Sequence, residues 1–331
     1  MTDHVRMKVS RRYNFCIPPH RNTEELTPLE KQFIIYHVGI PEIDAERWKL
    51  SIEGMVASPL ELGLRDLNQM PQTTIRAFHE CSGSPMRPFM PVRRIAQIEW
   101  SGVPLNTLLR RAGVEPGARY LWASGADHGI YDHTNVRVEE FQKDIPIEKA
   151  WEPEVLLATH ANGAPLNEEH GGPVRLIVPG FYATCSVKWL TRLEAKAEKS
   201  TAYFAEELYN DPVVEGGKEA RRRVWKIAPH SVFVHPQPHG ELGRGNIDIW
   251  GWAWGSDSIA KVEVSVDGGA SWMPTQLEPR SGWRLQRFKL DWNPPAPGEY
   301  PLWCRATDST GLTQPESGAR NEIFKIVIKA Q

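Results

Sequence analysis

The sequence predicts two parts of different class: an α+β part with a mixed or mostly antiparallel sheet over residues 1–215, then an all-β, immunoglobulin-like sandwich over 216–331. Three observations carry this. Short apolar runs alternate with short helical stretches in the first part. Pro212, Gly216-Gly217 and the basic run Arg221-Arg222-Arg223 then mark a linker between about 205 and 225. Beyond it, alternating runs recur at regular spacing between Gly and Pro turns. A chain of 331 residues is also too long for one compact core.

The elements follow in order. Trp48 to Gly54 alternates like a half-buried strand. Leu60 to Asn68 reads as a strand end leading into a short helix, stopped near Pro71. Thr73 to Phe78 is apolar and β-prone, and it leads to Cys81. Gln97 to Trp100 gives a strand that turns into a helix over 104–112, ended by Gly113. Arg119 to Ala123 and Val174 to Val178 are further strands, the second buried and bounded by prolines. In the second part Ile247 to Trp254 and Lys261 to Val266 alternate, and Asp267-Gly268-Gly269 is a hairpin turn. Trp283–Leu290, Glu299–Thr307 and Phe324–Lys329 supply the remaining strands.

Composition removes several classes of function. A net charge of −2 gives no steering field and argues against nucleic acid as a partner. No stretch is long and apolar enough to span a bilayer. The start Met1-Thr2-Asp3-His4-Val5-Arg6 lacks a signal core, and Arg11-Arg12 is not followed by the apolar segment of a twin-arginine signal. The chain as given therefore reads as cytoplasmic, or periplasmic if a leader has been removed. Cys16, Cys81, Cys185 and Cys304 are scattered without zinc spacing and fit reduced thiols. The 13 tryptophans, many of them late in the chain, read as core and interface anchors.

Two segments carry chemistry. Cys81, in Phe78-His79-Glu80-Cys81-Ser82-Gly83-Ser84-Pro85, sits where an apolar strand opens onto a turn. A thiolate there suits a nucleophile or a soft metal ligand, against the plainer reading of a small buried hydrophobe. The second segment runs from Asn162 to Trp189 and sets His170, Arg175, Ser186 and Lys188 around one buried strand and its loops. Cations beside hydroxyl and imidazole donors suit an anionic, hydrogen-bond-rich ligand such as a phosphate-bearing cofactor; scattered surface charge is the alternative.

With these residues in hand, the chain resembles the sulfite oxidase family of molybdenum enzymes over nearly its whole length. The resemblance rests on Glu80-Cys81-Ser82-Gly83, Trp100-Ser101-Gly102-Val103-Pro104-Leu105, the His170-to-Arg175 run and Val187-Lys188-Trp189. Gly251-Trp252-Ala253-Trp254 and Val264 to Trp272 are similar to the family's C-terminal dimerisation domain. The resemblance implies molybdenum held by molybdopterin, with Cys81 as the metal ligand. It implies cofactor contacts from Asn14, Phe15, His37, Asp127, His170, Arg175, Ser186 and Lys188, and a homodimer formed through the sandwich. Ser186 stands where some members have a histidine.

The pattern departs at the substrate pocket. The family's arginines and tyrosine fall here on Ile35, Met86 and Phe141, and Gly255 to Ile259 has no arginine. Arg87, Arg93 or Arg94 is expected to rebuild an anion site, or else the pocket is apolar and takes a less anionic substrate. His128, Tyr131 and His133 are candidates for proton relay, or ordinary loop polarity. The implied activity is a two-electron oxygen-atom transfer, with sulfite oxidation as the leading expectation. Reduction of an S-oxide or N-oxide and a non-catalytic dimeric scaffold are the alternatives. No CxxCH is present, so electrons pass to a separate acceptor or come from a separate donor.

Overall fold

The computed structural model describes residues 5–9, 15–83, 93–243 and 245–331. It falls into two compact units. The first holds residues 1–15, 34–75 and 98–225; the second holds 16–33, 76–97 and 226–331. The chain thus passes from one unit to the other within the strands Thr73–Glu80 and Ile95–Pro104.

In the first unit, five strands form a mixed sheet in the order Gln142–Pro146, Tyr120–Gly125, Leu190–Lys196, Lys49–Gly54, Leu60–Gly63. Only the pair Leu190–Lys196 and Lys49–Gly54 is parallel, with Arg192 opposite Ser51. Alternation explains the orientation: Leu50 and Ile52 are buried, while Lys49, Ser51 and Glu53 on the other face are not. Leu60–Gly63 runs straight into the helix Leu64–Asn68, as expected. The helix Leu105–Ala112 buries Leu105, Leu108, Leu109 and Ala112, the spacing of one helical face. These side chains join Trp48, Leu121 and Leu193 in the core. A second group of strands pairs Leu156–Ala161 with both Arg175–Ile177 and Ile95–Pro104.

The expected linker is instead an antiparallel hairpin, Asn210–Glu215 with Lys218–Arg223. Gly216 and Gly217 form its tip with φ of 58° and 78°, the backbone of a two-residue hairpin turn. The basic run is not merely solvated. Arg223 lies 3.6 Å from the buried Asp144 carboxylate and donates to the carbonyls of Ala205 and Ser200.

The second unit is all β beyond residue 226. One sheet orders His230–His235, Ile247–Trp254, Gln286–Trp292 and Gln276–Leu277. The other orders Glu241–Leu242, Phe324–Ala330, Gly298–Asp308, Ile259–Ser265 and Met273–Pro274. Phe324, Ile326, Ile328 and Ala330 alternate inward, and Phe233 of the first sheet meets Phe324 of the second at 6.2 Å. This is the expected sandwich. Several tryptophans are capped by cations, with Arg305 over Trp272 at 3.9 Å and Lys325 over Trp303 at 4.2 Å.

Candidate functional site

In the first unit, Arg175 organises the loops that the sequence singled out. It opens the buried strand Arg175–Ile177 and is itself buried. Its Nε donates to the Ser186 carbonyl at 3.1 Å and its Nη1 to the His170 carbonyl at 3.2 Å. One guanidinium therefore ties both flanking loops together. Ser186 Oγ accepts from the Val178 amide at 3.0 Å, and His170 N donates to Asn167 Oδ1 at 2.9 Å. Burial pulls the Arg175 guanidinium down to about 9.

Lys188 lies alongside. A Cβ on Gly171 would lie 2.6 Å from Lys188 Cβ, and Gly171 has φ +99°, so only glycine passes here. Lys188 Nζ donates to the carbonyls of Ile35 at 2.8 Å and Glu169 at 3.4 Å, and sits 4.1 Å over the Trp189 ring. Among the described residues it makes no ion pair. Burial, then the Arg175 charge, lowers its amine to about 7. Asp127 is buried just beyond the strand Tyr120–Gly125, and burial raises its carboxyl to about 7 against the pull of Lys188. Phe15 accepts a backbone bond from Ile34 at 3.0 Å and packs on the Ile34, Tyr36 and Trp189 cluster.

His37 stands in an aromatic enclosure. Phe204 lies at 4.6 Å, Phe141 at 5.4 Å, Tyr131 at 5.5 Å and Tyr209 at 5.8 Å between ring centroids. Its Nε2 meets the Tyr209 hydroxyl at 2.5 Å. Burial, then the charge of Lys188, drops its imidazole to about 3, so the ring is neutral. His133 packs edge-on to Tyr131 at 5.2 Å. His128 is engaged elsewhere, its Nδ1 3.1 Å from the Ala126 carbonyl. Of the three loop candidates, Tyr131 and His133 are thus grouped with His37, and His128 is not.

Cys81 belongs to the second unit, at the end of Thr73–Glu80, and is half-buried. Its amide donates to the Arg94 carbonyl at 3.0 Å. Burial raises its thiol, opposed chiefly by the Arg94 charge. Glu80 is fully buried, accepts from Trp254 Nε1 at 2.8 Å, and is pushed up to about 7 by burial. Arg320 Nη1 donates to the Ser82 carbonyl. None of the four cysteines forms a disulfide. Among the described residues no group of three or more His, Cys, Asp or Glu side chains forms a metal cage. No helix there is long and apolar enough to cross a membrane. Asn14, Met86 and Arg87 lie outside the described residues.

Sequence reasoning missed Tyr209, Arg320 and the buried state of Glu80. Glu80 did carry a signal, since His79-Glu80 puts two polar residues at the end of an apolar strand next to Cys81. Tyr209 and Arg320 have no local motif.

Comparison with known proteins adds the following. A family described as oxidoreductase molybdopterin binding domain matches residues 37–204, and a Mo-co oxidoreductase dimerisation domain matches 221–327. Mitochondrial sulfite oxidase of Mus musculus is 29% identical, covering 95% of this chain and 62% of its own length. Sulfite oxidase of Gallus gallus is 27% identical over 89% of this chain and 69% of its own. An NADH nitrate reductase of Solanum lycopersicum is 25% identical over 88% of this chain and 36% of its own. The chain thus spans about 62% of the length of the mammalian relatives it matches. The crystal structure of the sulfane dehydrogenase SoxCD from Paracoccus pantotrophus superposes with a TM-score of 0.80 at 29% identity, covering 97% of this chain and 87% of that one.

Proposed function

Because the chain belongs to the sulfite oxidase family of molybdopterin oxidoreductases, we propose that it oxidises sulfite to sulfate and passes the electrons to a separate acceptor. The observation that carries the reading is the pair of buried cations, Arg175 and Lys188. Both are lowered by desolvation, and Lys188 has no ion pair among the described residues. Buried cations of this kind call for an anion, and the phosphate of a molybdopterin supplies one. The residues therefore fit the cofactor that the family implies.

In this reading Arg175 and Lys188 bind the phosphate, and His170 and Ser186 hold their loops in place around it. Asp127 and the neutral His37 offer hydrogen bonds to the pterin ring system, and Phe15 packs the segment before His37. Asn14 is proposed beside it from the family pattern alone. Cys81 is the proposed metal ligand. When bound, the cofactor supplies two-electron oxygen-atom transfer at molybdenum. Tyr131 and His133 are proposed to hold or move a proton near His37. Residues 1–215 are proposed as the cofactor-binding domain, and 216–331 as the module that pairs with a second copy. Sedimentation should then give a dimer.

A second reading is favoured by Phe141, which packs on His37 where the family pattern expects a tyrosine. An apolar wall suits a less charged sulfur substrate, either sulfane sulfur, as named for the SoxCD relative, or an S-oxide taken in the reducing direction. Parallel assays of sulfite oxidation, sulfane oxidation and sulfoxide reduction separate these. Strong sulfite turnover with no sulfoxide reduction rejects the second reading. Cys81→Ser should abolish turnover while the melting temperature stays within a few degrees, and survival of activity would show that the ligand is another group.

A further inference from the structure

The substrate-pocket arginines expected from the family pattern are missing, and the structure distinguishes the nearby basic residues. Arg93 is 1% exposed, with its guanidinium over the Phe324 ring at 5.5 Å. Among the described residues none of its three side-chain nitrogens has a hydrogen-bond partner, and its charge faces Glu80 and Glu322. It is an interior residue of the second unit. Arg94, the next residue, is half-buried, and its carbonyl accepts the Cys81 amide. That bond pins its backbone beside the thiol. A Cβ built on Gly83 would lie 3.6 Å from Arg94 Nη1 and 3.8 Å from Cys81 Sγ. The sulfur and the guanidinium thus both lie within van der Waals reach of one point beside Gly83.

A second cation reaches the same turn. Arg320, also half-buried, donates to the Ser82 carbonyl from 238 positions away in the chain.

We propose that Arg94 and Arg320 form the anion-recognition pair of this protein, flanking the turn Cys81-Ser82-Gly83, and that the ligand they select is a small sulfur oxyanion. This rests on the reading of Cys81 as the reacting centre, and it assigns the specificity to residues outside the family's arginine pattern. Two guanidiniums offer planar, forked donors that match two oxygens of one oxyanion. Gly83 adds no side chain beside them. The neutral enclosure around His37 is not required to carry charge.

The test uses molybdenum-replete full chain, with sulfate as a non-reacting probe followed by calorimetry and sulfite as the substrate. The variants are Arg94→Gln, Arg320→Gln, Arg320→Lys and a control, Arg305→Gln, whose guanidinium pairs with Glu263 and stacks on Trp272. The expected result is sulfate binding weakened at least tenfold in both glutamine variants, with KM for sulfite raised more than kcat falls. Molybdenum content stays unchanged, Arg320→Lys, which keeps the charge and loses the fork, recovers part of the affinity, and Arg305→Gln matches the parent. Because Arg320 also holds the turn, the lysine variant separates charge from structure. Lost affinity in Arg320→Lys equal to that in the glutamine variant overturns the role of Arg320. Unchanged sulfate affinity and KM in both glutamine variants overturn the pair even if the parent oxidises sulfite. Arginine-dependent sulfate binding in a parent that does not turn over sulfite supports the pair and removes sulfite as the substrate.

Discussion

Arg175→Lys keeps a buried cation and deletes the fork that joins two loops. The native guanidinium donates to Ser186 O and His170 O at 3.1 and 3.2 Å, and its Cζ lies 5.6 Å from the Trp100 ring centroid. A lysine ammonium at the end of a flexible stem reaches at most one of these carbonyls in good geometry. Hydrogen bonds from a charged donor contribute about 1.5–3 kcal/mol each, so losing one costs about 2 kcal/mol. If the loops must be fixed before the cofactor binds, that cost appears as about a 30-fold loss of cofactor affinity, at about 1.4 kcal/mol per factor of ten. Two assays read it. Molybdenum and pterin content of the purified variant should fall sharply at limiting cofactor supply, and denaturant unfolding of the apoprotein should show the same ~2 kcal/mol. An apoprotein as stable as the parent, or a variant that retains full cofactor, would refute the reasoning. In the first case the fork would not hold the loops, and in the second the loops would not need holding.

Three further outcomes are expected. Tyr209→Phe keeps the ring beside His37 but removes its hydroxyl bond to Nε2, costing about 1 kcal/mol and lowering the melting temperature by about 2–4 °C. His37 is held well below its usual 6.5, so between about 3 and 6.5 the unfolded chain binds a proton that the native state rejects. Its contribution to stability is full above 6.5 and is lost as the pH falls toward 3; NMR titration should find its ring neutral down to pH 5. Arg223→Ala strands the buried Asp144 carboxylate, and breaking a buried pair of this kind costs about 3–5 kcal/mol. Limited proteolysis should then cut the hairpin Asn210–Glu215/Lys218–Arg223 faster than in the parent.

What the sequence revealed was whatever short-range pattern could encode. The alternation of Lys49–Gly54 and Phe324–Ala330, and the spacing of Leu105, Leu108, Leu109 and Ala112, fix which side chains go inward without reference to distant residues. The loops holding His170, Arg175, Ser186 and Lys188 were legible for the same reason, because the residues that tie them lie within 19 positions of one another. The hairpin at 210–223 was misread because proline, paired glycines and a basic run are linker signals when read by composition. Partners distant in sequence, Asp144 and the carbonyls of Ser200 and Ala205, turn Arg223 into an anchor.

The arginines near Cys81 show the boundary most sharply. Arg93 and Arg94 are identical in type and adjacent, and nothing in their neighbourhood of sequence says which is interior. The Ile95 amide bonds back to the Arg93 carbonyl at 3.0 Å, so a tight turn precedes the strand Ile95–Pro104, and no period along the chain assigns the two arginines to the interior or the surface. The choice is made by tertiary contacts: the Arg94 carbonyl accepts the Cys81 amide, and the Arg93 guanidinium lies over the Phe324 ring. Arg320 adds a contact across 238 residues to the same turn. The charge beside the thiol is therefore a property of tertiary pairing, which is why it escapes a pattern read along the chain and why its removal by single substitutions is the informative experiment.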